Sequence, residues 1–127
     1  SNVDRIIGHL ATKTGLDSKL LGSSSPVVLL TKGLELLKAS GFEKIYKDNK
    51  DWFIEEIKKY KVKTIADIDE ASFKIMQKCR DNGKFVDLKE KAYQNGVSLD
   101  VLLRVLSIYL RDELAKEVLS DEKEKTK

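Results

Sequence analysis

The sequence predicts an all-α protein, a compact helical bundle of five to seven helices with a long, largely buried C-terminal helix. Three observations carry this. Apolar residues recur at three-and-four spacing through most of the chain, the period of a helix face. One proline and 7 glycines in 127 residues leave too few turn residues for a many-stranded sandwich. The stretch 97–119, VSLDVLLRVLSIYLRDELAKEVL, is too apolar for a surface helix.

The elements follow in order. Val3, Ile6, Ile7, Leu10 and Ala11 form one stripe, so residues 3–13 read as a helix that Gly15 stops. Residues 16–21 can add one short turn before Gly22, and Ser23, Ser24 and Ser25 make a loop. Ser25 and Pro26 then read as N-cap and first helical position, where a missing N–H costs nothing. That helix runs to about Ser40, with Gly41 as its left-handed cap and Phe42 folding back on Leu37. Val27, Leu30, Leu34 and Leu37 give its buried face, widened by Leu29 and Leu36. Gly33 inside it costs about 1 kcal/mol against alanine, so a close helix crossing is expected there.

Residues 42–60 are helical again, with a break near Asp48 and Asn49. Phe42, Ile45 and Tyr46 share one face, followed by Phe53, Ile57 and Tyr60. Residues 61–63 are a connector. Thr64 with Asp67 caps a helix whose stripe is Ile65, Ile68, Ser72, Ile75 or Met76, and Cys79. Asn82-Gly83 ends it. An Asn-Gly pair also suits a hairpin, but its flanks here have helical period or are too short. Asp87 with Glu90 caps residues 88–95, Gly96 stops them, and Ser98 caps the last helix. In that helix Leu99, Leu102, Leu106 and Tyr109 form one stripe, Val101, Val105, Ile108, Ala115 and Leu119 a second. Leu103, Leu110 and Leu114 add a third edge. A helix coated on several sides is the centre of a bundle or docks on another chain. Residues 1–119 thus form a single helical domain, and residues 120–127, charged and apolar-free, a disordered tail.

Bulk properties narrow the function. A net charge of +3, from 24 basic and 21 acidic residues, permits nucleic-acid contact without requiring it. One cysteine, Cys79, rules out an intrachain disulfide and makes a reducing cytoplasmic location the expectation. No signal peptide and no apolar stretch of the roughly 20 residues that cross a bilayer is expected, hence no membrane partner. His9 is the only histidine, which excludes Ser-His-Asp and multi-histidine sites. Cys79 falls on an apolar stripe and reads as an inert thiol. The acids Glu55, Glu56, Asp67, Asp69 and Glu70 read as solvated helix faces or lysine partners such as Glu55 with Lys59. Ser23, Ser24 and Ser25 lack the glycines and lysine of a phosphate loop. We therefore expect no enzyme, no cofactor, no metal and no catalytic residue.

Two binding surfaces are expected. A basic patch of Lys58, Lys59, Tyr60, Lys61 and Lys63, joined by Lys78, Arg80 and Lys84, could hold a phosphate backbone with a base stacked on Tyr60. Trp52 at a helix start, with Leu99, Leu103, Leu106, Leu110 and Leu114 on the last helix, could form a protein interface. The best class is a small non-catalytic adaptor or subunit, bound to a larger protein or to its own copies, with weak nucleic-acid contact. Small helical subunits of prokaryotic nucleic-acid machines, CRISPR effector complexes among them, share this size and charge balance.

One alternative rests on a short echo. LATKTGLDSKLL (residues 10–21) and KAYQNGVSLDVLL (residues 91–103) share an alanine, a glycine four later, an aliphatic residue and a leucine. Ala92, Gly96, Val97, Leu102 and Val105 stand where the pattern resembles the helix-turn-helix of bacterial and archaeal transcription regulators. That resemblance implies a DNA-binding regulator reading bases through Leu99, Asp100, Leu103 and Arg104. It departs from the pattern at Lys91 and Asn95, positions usually apolar. A ribbon-helix-helix dimer is the related reading, with residues 84–87 as its strand.

Overall fold

The computed structural model describes residues 26–126, with side chains over residues 32–119. The expected helix at 3–13, the turn at 16–21, the serine loop and His9 lie outside the described residues. Among the described residues there are six helices and no strand, as the apolar spacing predicted: α1 (Pro26–Ser40), α2 (Phe42–Asp48), α3 (Lys50–Lys58), α4 (Ile65–Asn82), α5 (Leu88–Gln94) and α6 (Leu99–Thr126).

Local chemistry explains each boundary. Gly41 takes φ +69° between α1 and α2. There Ser40 Oγ donates to the Leu37 carbonyl at 2.8 Å and accepts from the Phe42 amide at 3.2 Å, which ties the two helices together. Asn49 splits α2 from α3, its side-chain amide donating to the Ile45 carbonyl at 2.9 Å. Such side chains offer backbone groups an alternative to the helix ladder. Thr64 and Asp67 complete a reciprocal capping box at 3.1 Å each way. Asp87 Oδ1 accepts from the Glu90 amide, and Ser98 Oγ from the Val101 amide.

α6 is the axis of the bundle. From Val101 to Leu110 every residue but Arg104 is buried, and Leu114 is enclosed as well. Its longest neighbour is α4, which presents Ile68, Ala71, Ser72, Ile75, Met76 and Cys79. The two run antiparallel, since Asp69 meets Arg111 while Phe73 meets Arg104. Phe42, Tyr46 and Phe53 bring α2 and α3 against Tyr109 of α6, with ring centroids 5.5–6.1 Å apart in edge-on and tilted pairs. α5 closes the bundle through Leu88 and Ala92.

One expectation differs. Ile65, first in the α4 stripe, is exposed, because it precedes the part of α4 that packs on α6. α6 extends to Thr126. Glu and Lys are good helix formers, and extending an existing helix needs no new nucleus.

Candidate functional site

The most unusual backbone lies just after α4. Gly83, at φ +59°, reverses the chain, and the Lys84 amide reaches back to the Cys79 carbonyl at 3.0 Å, a Schellman ending. The Val86 amide then donates to the Lys84 carbonyl at 2.8 Å, a three-residue γ-turn with Phe85 at its centre. Phe85 has φ +69°. A bulky residue there is an outlier, and the conformation costs about 1–2 kcal/mol.

The strain projects an aromatic knuckle. Phe85 leaves 37% of its surface exposed. Its ring meets half-buried Trp52 edge-on at 5.2 Å and buried Phe53 at 5.6 Å. Trp52 stands edge-on to Phe53 at 5.0 Å, so its α3 neighbour anchors both outer rings to the core. Lys84 Nζ lies 5.1 Å from the Trp52 ring and 4.9 Å from the Phe85 ring. Among the described residues no carboxylate pairs with Lys84, and the Trp52 indole N–H makes no hydrogen bond. An open groove of about 460 Å³ begins at Trp52 and runs past Asn49, Lys50 and Asp51 to Lys47 and Asp48.

The expected basic patch is dispersed among acids. Glu56, nearly enclosed, takes Lys59 Nζ on one oxygen and Lys78 Nζ on the other, both at 2.6 Å. Burial pushes the Glu56 carboxyl up, but the two lysine hydrogen bonds outweigh it and hold it below its usual range. Lys58 lies 3.6 Å from Glu55, and Arg80 Nε 2.8 Å from Asp81. Glu55 thus meets Lys58 rather than the expected Lys59. Lys61 sits at φ +51° in the connector. Tyr60, 38% exposed, borders a groove of about 180 Å³ shared with Lys61, Asp67, Glu70 and Lys74. Lys74 is already 3.2 Å from Glu70, and Asp67 is held by the Lys63 and Thr64 amides. Lys84 stands apart from these residues, on the knuckle.

The leucines named for a protein interface fall elsewhere. Leu103, Leu106, Leu110 and Leu114 have no exposed surface, and Leu99 is half-buried against the core. Of the residues that would read DNA, Leu103 is buried, Leu99 and Arg104 are half-buried and Asp100 is exposed. Arg104 lies 4.3 Å over the Phe73 ring and 3.8 Å from Asp69, beside buried Leu103. Gly96, at φ +64°, does make the expected turn between α5 and α6. Residues 84–87 form a bend instead of the strand a ribbon-helix-helix needs, because Phe85 lies outside extended backbone space.

Sequence reasoning named Trp52 and Lys84 but did not join them. It missed Phe85, whose only signal was a large aromatic residue in the five-residue linker 83–87, off any stripe. Burial pushes the Cys79 thiol up to about 11, in keeping with an inert core position. Among the described residues no group of three His, Cys, Asp or Glu is placed to hold a metal. No protein-family model, curated protein or solved structure matches the chain.

Proposed function

We propose that the chain is a small helical adaptor that works by binding another protein, and that the knuckle of Trp52, Lys84 and Phe85 is its contact. The observation that carries this reading is Phe85 held exposed in a strained γ-turn. The backbone conformation there suits glycine, whereas a protruding aromatic beside a tryptophan suits an interface anchor. The buried leucines of α6 serve the fold, so the contact surface moves from α6 to the α3 and α4 ends.

The lysines of α3 and α4 that flank the connector contribute little to nucleic-acid binding in this reading. Phosphate binding draws on several unneutralised cations, and Lys58, Lys59, Lys74 and Lys78 each face a carboxylate.

The test is comparative capture. Tagged wild-type chain and the Phe85→Gly variant are incubated with extract of the source organism, and bound proteins are quantified by mass spectrometry. The adaptor reading expects a stoichiometric partner that the variant loses while its circular dichroism stays unchanged. Equal capture by both proteins would reject the knuckle. Saturable binding of duplex DNA by the chain alone, with a salt slope of several phosphates, would favour the helix-turn-helix reading instead.

A further inference from the structure

We infer that the partner presents a carboxylate beside an apolar side chain: an acidic, apolar protein segment whose apolar group lies on the Trp52 and Phe85 rings while its carboxylate meets Lys84 Nζ. This rests on the adaptor reading of the same site and specifies what that site selects.

The knuckle offers side-chain donors and no side-chain acceptor: an ammonium held over two rings and an indole N–H without a hydrogen bond. Of the two acids that line the adjoining groove, Asp48 is engaged, as are Glu117 and Asp87 elsewhere on the surface. Asp48 pairs with Lys44 at 2.7 Å, Glu117 with Lys50 at 2.5 Å, and Asp87 caps α5. Asp51 remains exposed in the first turn of α3, where the helix N-terminus favours it.

Cation–π contact at an exposed site is weak. Moving Lys84 from the rings to an incoming carboxylate therefore costs little. The same movement uncovers ring surface for an apolar group. A phosphate backbone is the poorer match, because a lysine alone supplies one point charge where phosphate tracks need several. The resulting pair is partly desolvated by the rings, so its charge preference exceeds that of an open surface lysine.

Trp52 is the only tryptophan, so its emission reports on this site alone. Heptapeptides are selected from a random display library on the wild-type chain, and each is titrated while Trp52 fluorescence is read. The expected peptides carry Asp or Glu next to Leu, Ile or Phe and shift the emission. They should lose about tenfold or more in affinity on Lys84→Glu, and more on that variant than on Lys84→Met. Selection repeated on Lys84→Glu should return Lys- or Arg-bearing peptides. Circular dichroism and urea midpoints establish that both variants fold.

Peptides that shift Trp52 emission and lose binding on Phe85→Gly, yet ignore Lys84→Glu, would overturn the charge preference and leave the adaptor site standing. Peptides with no Trp52 response and no sensitivity to Phe85→Gly would overturn both. A selection yielding no binder, or a Trp52-reported titration with a ten-nucleotide oligo(dT) tighter than any peptide, also overturns the inference.

Discussion

At Phe85 the chain holds a bulky aromatic residue at φ +69°, a conformation that glycine adopts freely. Removing its side chain has two opposed effects. Packing against Phe53 and Trp52 is lost, roughly 1–2 kcal/mol for a partly buried ring, while about 1–2 kcal/mol of backbone strain is relieved. Phe85→Gly is therefore expected to change stability by less than about 1 kcal/mol in urea unfolding, against the roughly 3–5 kcal/mol typical of a core Phe→Ala change. A large loss would mean that Phe85 is retained for the fold rather than for contact. Arg111 presents the opposite case. Its side chain is 1% exposed, Nη1 donates to Asp69 at 2.9 Å, and Nε and Nη2 make no hydrogen bond. Truncating Asp69 leaves the buried guanidinium only the Asp112 carboxylate, 3.5 Å from Nε, so Asp69→Ala should cost about 2 kcal/mol, below the usual buried-pair range because Asp69 keeps 27% exposure. Arg111→Met should cost at least as much, since it also removes the cation that lies 3.5 Å from the buried Asp112 carboxylate, whereas Asp69 keeps Arg104 and water. The reverse order, read from urea midpoints, would contradict this account of the pair.

Between elements, the clasp of Glu56 by Lys59 and Lys78 fastens α3 to α4. Its carboxyl titrates below the ordinary carboxylate range in the folded chain. The stabilisation is therefore complete above the unfolded value of about 4.3 and is lost as pH falls through the lower folded value. Thermal melts from pH 6 to pH 3 should show the wild type losing more stability in that acidic window than Glu56→Gln. Equal losses would mean that the clasp contributes nothing to folding. The same elements account for what the sequence left hidden. Capping boxes, helix-ending glycines and apolar stripes act over three to five residues, so the boundaries of α1 to α5 could be read locally. The Glu56–Lys78 and Asp69–Arg111 pairs span 22 and 42 residues, and no local spacing encodes them.

For the molecule as a whole, α6 is the axis against which α1, α3, α4 and α5 pack. Leu106 is fully enclosed by it and its neighbours, so Leu106→Ala should cost about 2–5 kcal/mol and Leu106→Asp should unfold the chain. A native circular dichroism spectrum for Leu106→Asp would mean that this face is open in solution. The sequence by itself determined the helical class, the order of the described helices and the centrality of the last one, because these follow from apolar period and short-range capping. The tertiary structure decided which surfaces remain. It covered the α6 leucines, set Lys58, Lys59 and Lys74 against Glu55, Glu56 and Glu70, and brought Trp52 of α3 beside Lys84 and Phe85 beyond α4. Exposure is a property of how helices pack, and residues 32 positions apart meet only once α3 and α4 lie side by side.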